Sequence, residues 1–223
     1  MRLAIGDVHG RVFWKHYLEE DFSEFYILGD YFDSYRVSFT GQYRNFQDIC
    51  KAAREDSRIR LCLGNHDYHY LGSIFPQQYS GFQDSRYDRI NGILEDNIDL
   101  LRVLYLTGDG YILSHAGVSA AFIAKLRPLG IRDVTEIDDG FNRDRNILSF
   151  DGIDNTGDDI TQSPIWIRPR SLLRSPLRGY SQIVGHTPVY RIGELPFGFR
   201  DKQGHPARLI QIDTGDYESV YRF

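Results

Sequence analysis

The chain of 223 residues predicts an α/β layered fold, and three observations lead there. Short apolar runs alternate with segments of helical periodicity through the first 65 residues. Each run stops at a Gly-Asp or Gly-Asn pair, as buried strands do when they end in polar loops. Hydrophobic residues make up 41% of the chain and charged residues 26%, which supports a packed core and excludes a disordered polymer. The length suits one domain spanning residues 1–223.

The elements follow in order. "RLAI" (residues 2–5), "EFYILG" (24–29) and "RIRLCLGN" (58–65) read as strands. Residues 11–20, with Val12, Phe13, Tyr17 and Leu18, fit a short helix between the first two. Between the second and third, Tyr43, Phe46, Ile49, Cys50 and Ala53 recur at helical spacing in "TGQYRNFQDICKAARED". "RVLYLTGDGYILSHAG" (102–117) predicts a hairpin turning at "TGDG", and "SAAFIAKL" a helix capped by Ser119. "YSQIVGHTP", "ARLIQIDTGD" and "ESVYRF" predict three further strands. Residues 68–97, rich in rings such as Tyr70, Phe75, Tyr79, Phe82 and Tyr87, and residues 140–163, rich in Gly, Asp and Asn, read as irregular.

The net charge of −5 provides no basic field for a phosphate backbone, so nucleic acid is not an expected partner. The start "MRLAIGD" predicts neither a secretory signal nor a membrane span, and a cytoplasmic location. Cys50 and Cys62 lack the spacing of a metal or disulfide framework and read as small buried side chains in a reducing compartment.

The chemistry lies at the strand ends. "GDVHG" supplies Asp7 and His9, "GDYFD" Asp30 and Asp33, and "GNHD" Asn65 and His66. Downstream, "SHAG" supplies His115 and "GHTP" His186. In open α/β sheets ligands gather outside the carboxyl ends of strands, where all of these fall. Any one motif alone reads as a solvated turn or a hydrogen-bonded core group; the five in order do not. Oxygen and imidazole donors without thiolate suit manganese, iron or zinc. Several carboxylates in one site oppose one another's ionisation, and a pair of divalent cations removes the conflict. The flanking glycines are expected to let the backbone turn sharply.

The order GDVHG, GDYFD, GNHD, SHAG, GHT resembles the calcineurin-like metallophosphoesterases, most closely the bacterial and phage branch of the PPP-type serine/threonine protein phosphatases. The resemblance spans nearly the whole chain. It implies a two-sheet β-sandwich flanked by helices, with a dinuclear centre at one edge. It further implies that Asp7 and His9 bind one divalent metal ion, that Asp30 bridges, and that Asn65, His115 and His186 complete the second. His66 matches the histidine that protonates the leaving group, and Asp33 the carboxylate that orients it. Water would then attack phosphorus directly.

One departure stands out. The second motif in the family continues with an Arg that grips phosphate, and here Ser34 takes its place. Arg36 or Arg11 is the expected substitute, and Arg168 in "SPIWIRPRS" the second phosphate contact, with Arg170 a weaker candidate. Asp213 is left outside the site, and His16, His69 and His205, which match no motif, take surface or supporting roles by default. The substrate expected is a phosphomonoester, including phosphoprotein; a nucleotide or diadenosine polyphosphate hydrolase is the alternative, with Tyr70 and Phe75 offered as rings for a base. A domain that binds metal without catalysis is disfavoured because His66 and Asp33 are both present.

Overall fold

The computed structural model describes residues 1–71, 80–150, 156–217 and 219–223. Two five-stranded mixed sheets face each other. In the first, β1 (Arg2–Ile5), β2 (Glu24–Ile27), β3 (Ile59–Cys62) and β4 (Leu101–Arg102) run parallel, and β10 (Val220–Arg222) closes the edge antiparallel to β1. In the second, β6 (Tyr111–Ser114), β7 (Ser181–Val184) and β9 (Pro206–Gln211) run parallel, flanked by antiparallel β5 (Leu104–Leu106) and β8 (Gly193–Arg200).

Period-two alternation explains how each strand serves two layers. Ala4, Tyr26 and Cys62 of the first sheet meet Leu113, Ile183 and Ile210 of the second in one apolar cluster. Their neighbours Leu3, Ile5, Phe25, Ile27 and Leu61 turn the other way, onto Phe46 and Ile49 of α1 (Phe39–Glu55). That helix buries Gln42, Asn45, Phe46, Ile49, Cys50 and Ala53 along one stripe, and Ser38 Oγ caps it by accepting from Gly41 N at 3.3 Å. Cys50 and Cys62 are buried free thiols.

Several elements differ from expectation. The short helix expected over residues 11–20 is present at residues 13–19, wound as a 3-10 helix. After the one-turn helix α2 (Asn65–Tyr68), the stretch read as irregular contains α3 (Tyr87–Glu95), whose Ile90, Ile93 and Leu94 are buried. Beyond α4 (Ala120–Leu126), helix α5 (Ile137–Arg143) runs into the second irregular stretch, followed by a 3-10 turn at Arg145–Leu148. The proline-punctuated segment after Arg168 forms α6 (Pro169–Arg174), with Pro169 at the first helical position. The predicted hairpin is confined to β5 and β6; residues 101–102 belong to the other sheet, and buried Val103 marks the crossing. No helix among the described residues is long and apolar enough to cross a membrane.

Candidate metal centre and its flanking histidine

Six strands, three from each sheet, end at the same edge of the sandwich. The loop after β1 carries Asp7 and His9, that after β2 Asp30 and Asp33, and α2 after β3 begins with Asn65 and His66. His115 follows β6, His186 follows β7 and Asp213 follows β9. The loops brace one another: Val8 N donates to Gly29 O (3.2 Å), His9 N to Asp30 O (2.6 Å) and Gly185 N to His115 O (2.8 Å). Between the sheets, His186 N donates to Asp7 Oδ1 at 2.8 Å.

The six residues expected to hold metal converge. His9 Nε2 lies 3.9 Å from Asp7 Oδ2 and 3.7 Å from Asp30 Oδ2. On the far side of Asp30, His115 Nε2 is 3.4 Å from Asp30 Oδ2, 2.9 Å from Asn65 Oδ1 and 3.2 Å from His186 Nδ1. His186 Nδ1 stands 3.0 Å from Asn65 Oδ1.

The tautomers decide what this cluster wants. A backbone carbonyl only accepts, so a ring nitrogen facing one must donate. His9 Nδ1 faces Phe32 O (2.6 Å), His115 Nδ1 faces Leu28 O (2.8 Å) and His186 Nε2 faces Trp166 O (3.1 Å). Each ring therefore turns its other nitrogen inward, toward the carboxylate oxygens of Asp7 and Asp30 for His9, Asp30 for His115, and the amide oxygen of Asn65 for His186. Lone pairs face lone pairs across about 3 Å, an arrangement that repels without a cation among them. Asp7 is pushed up by burial and by neighbouring Asp30, against the pull of His115. The residues present fit divalent cations, the chemistry of a nitrogen and oxygen donor set.

The backbone is bent to make this possible. Among the described residues, the non-glycine positions with left-handed φ are His9 (44°), Asp30 (53°), Asp33 (63°) and His186 (61°), all at the site. Each such conformation costs about 1 kcal/mol or more and persists only where the surroundings enforce it. The flanking glycines divide: Gly10 (73°), Gly29 (103°) and Gly117 (114°) take the left-handed φ of the expected sharp turn, whereas Gly64 and Gly185 serve close approach. A Cβ on Gly64 would lie 2.1 Å from Asp30 Oδ1, and one on Gly185 2.4 Å from Asp7 Oδ1. Neither has a left-handed φ; they are small so that a carboxylate can pass.

Beside the cradle, His66 Nδ1 faces Asp33 Oδ2 at 3.0 Å, leaving Nε2 for a substrate. The His66 backbone N donates to Asp30 Oδ1 (2.9 Å), so one helical turn joins both halves of the site. Burial opposes charge on His66, but Asp30 and Asp33 outweigh it and push the group up to about 9. Burial likewise pushes Asp33 upward, and hydrogen bonds from His66 and Tyr70, with the His69 ring close by, overcome it, so Asp33 stays below the usual carboxylate range.

A cavity of about 660 Å³ opens over the cradle, lined by Asp7, His9, Asp30, Asn65, His66 and His186. Arg11 and Arg168 stand on its walls, with Trp166 and Phe150 forming an aromatic side. Arg168 Nε donates to Thr156 O (2.8 Å) and its Nη1 to Thr187 Oγ1 (3.2 Å), which fixes the guanidinium beside His186. Arg11 is anchored through Asp7 O (2.6 Å) and Val8 O (3.0 Å). Exposed Arg36 lies instead on the wall of an adjoining cavity of about 330 Å³, which shares His9, Arg11 and His66 with the first. Arg170 is exposed and pairs with Asp158 at 3.8 Å.

Two residues escaped the sequence reading, Asp213 and Asp67. Asp213 lines the main cavity and is pushed up to about 8 by burial and by Asp7; its signal was there, an apolar run ending in Asp like the other motifs. Asp67 is fully buried and accepts from Asp30 N (2.8 Å), Tyr31 N (2.8 Å) and Gly64 N (3.1 Å), tying two strand-end loops together. His69, left to a surface or supporting role, is buried with Nε2 2.6 Å from Asp33 Oδ2. Tyr70, offered as a base-stacking ring, is also fully buried, and its hydroxyl donates to Asp33 Oδ1 at 2.5 Å. Phe75 and Tyr79 lie outside the described residues.

Fold and site together define a metal-dependent phosphoesterase. The chain belongs to the calcineurin-like phosphoesterase family, whose model matches residues 2–209. Its structure is similar to that of a cold-active protein-tyrosine phosphatase from a Shewanella species, at 17% identity and a TM-score of 0.61, over 96% of this chain and 71% of that one. It is also similar to a protein serine/threonine phosphatase from Saccharomyces cerevisiae, at 15% identity and a TM-score of 0.52, over 97% of this chain and 68% of that one. At such identities the likeness shows the fold. No curated protein sequence matches the chain.

Proposed function

We propose that this metallophosphoesterase hydrolyses phosphomonoesters at a dinuclear centre, with residues 1–223 acting as one domain and with manganese as the cation and iron or zinc as substitutes. Asp7, His9 and Asp30 would hold one ion; Asp30, Asn65, His115 and His186 would hold the other. The observation that carries this reading is the inward-facing set of acceptors, in which His115 Nε2, His186 Nδ1 and Asn65 Oδ1 stand within 3.2 Å of one another.

Divalent cations in this cradle supply a water acidified toward neutral pH and positive charge for the phosphoryl oxygens. The chain does the rest. Arg168 and Arg11 orient the phosphoryl group, with Arg36 on the side of the adjoining cavity. Trp166 and Phe150 exclude bulk water from one flank. As a water oxygen bonds to phosphorus and the bond from phosphorus to the leaving oxygen breaks, His66 would deliver its Nε2 proton to that leaving oxygen, while Asp33 holds the Nδ1 proton and stabilises the ring's orientation. The substrate is a phosphorylated protein or small molecule. Two free buried thiols fit a reducing compartment such as the cytoplasm.

The aromatic wall of the main cavity favours a second reading, hydrolysis of nucleotides or diadenosine polyphosphates, with a base against Trp166 or Phe150. Parallel assays on phosphopeptide and dinucleotide polyphosphate rank the two. The reading as a whole predicts turnover of an aryl phosphate with added manganese. Purified protein that binds cations yet hydrolyses no phosphoester would overturn it.

A further inference from the structure

Asp33 is served from more sides than an orienting carboxylate requires. Oδ2 faces His66 Nδ1 at 3.0 Å and His69 Nε2 at 2.6 Å. Oδ1 accepts from Tyr70 Oη at 2.5 Å and Gln83 Nε2 at 3.3 Å. The clamp is itself fixed: Gln83 N donates to Tyr70 Oη (2.7 Å), and the Tyr70 ring stacks on Phe82 with centroids 4.9 Å apart and planes 11° from parallel. His69 sits edge-on to Tyr70 at 4.4 Å and to Phe82 at 4.9 Å. His69 and Tyr70 lie three and four residues after His66, a spacing that returns the chain to the same side of a helical turn.

The geometry has a mechanical consequence. A carboxylate's terminal torsion is broad and nearly two-fold, so an Asp bound only to one imidazole swings and takes the ring with it. Among the described residues, the ring hydrogen bond that orients His66 is the one to Asp33. We propose that Tyr70 and His69 are positioning residues for leaving-group protonation, locking the Asp33 carboxylate so that His66 Nε2 stays aimed at the departing oxygen. This rests on the reading of His66 as proton donor.

Leaving-group dependence tests it, because an alkoxide needs the proton and a nitrophenolate does not. Tyr70→Phe is expected to lower kcat on a phosphoserine peptide about 10-fold, part of the 10² to 10⁴ that general acids contribute, while kcat on p-nitrophenyl phosphate falls less than about 3-fold. KM and metal content stay unchanged. His69→Leu should show the same selectivity, and His69→Gln, which restores a donor near the Nε2 position, should recover most of the loss. His66→Asn provides the reference. If it lowers both substrates equally, the proton-donor reading itself fails. If His66→Asn is selective but folded Tyr70→Phe and His69→Leu protein lose both activities in parallel or neither, the positioning role is overturned.

Discussion

The two halves of the site are built on opposite principles. The cradle of Asp7, His9, Asp30, Asn65, His115 and His186 draws on both sheets and presents acceptors without donors. The Asp33 and His66 pair draws on the first sheet's loops and is surrounded by donors that satisfy it. One half is incomplete until cations arrive; the other is complete in the chain alone. A site of this kind can therefore lose its metal and keep the His66 and Asp33 pair in place. The contrast is open to disruption at chosen points.

Gly64→Ala should separate the halves most forcefully. Its Cβ would meet Asp30 Oδ1 at 2.1 Å and Asp30 N at 2.3 Å, backbone included, so Asp30 must shift. Denaturant unfolding should show a loss of about 3 kcal/mol, the upper range for overpacking, with cation binding lost before the fold. Unchanged stability and cation content would mean that the cradle is looser than its glycines suggest.

Arg168→Ala should leave both halves assembled and weaken the substrate's hold. A charge-assisted hydrogen bond contributes about 1.5 to 3 kcal/mol, so KM for an aryl phosphate should rise about 10-fold to 100-fold with metal content unchanged. A KM that stays put would shift the clamp to Arg11 and Arg36.

The smallest effect lies far from both halves and serves as their control. Arg2 Nη1 donates to Asp109 Oδ1 at 2.8 Å, and that bond, more than anything else, lowers Asp109 from 3.8 to about 2. A depressed carboxylate contributes stability above its unfolded value, and that contribution fades as pH falls from about 4 through about 2. Asp109 is 47% exposed, so solvent screening limits the contribution to less than about 1 kcal/mol. Acid unfolding of Asp109→Asn against the parent should differ by that little above pH 4 and converge below pH 2. A difference that persists at the lowest pH would point to packing instead of charge.

The strand ends were legible because each joins an apolar run to a polar residue through glycine, a pattern that buried parallel strands share and loops rarely mimic. Helix α1 was legible from its stripe of buried side chains. Strand β8 was not: it is an edge strand, mostly exposed, and its alternating Leu195, Phe197 and Phe199 are separated by Pro196 and Gly198, residues that argue against a strand. Helix α3 has apolar residues at helical spacing, but Gly92 and the ring-rich stretch before it masked the period. What Asp67 and His69 touch could not be read, because the amides of Asp30 and Tyr31 and the carboxylate of Asp33 come within reach only through the fold and are not sequence neighbours.

The account turns on whether the cradle holds cations, and counting them answers that most directly. Metal analysis of purified protein equilibrated with manganese should find about two ions per chain, and Asp30→Asn, which removes the charge shared by both, should lose them while Asp33→Asn keeps them. A chain that retains no transition ion, or one whose ion content ignores Asp30 and follows Asp33, would contradict it.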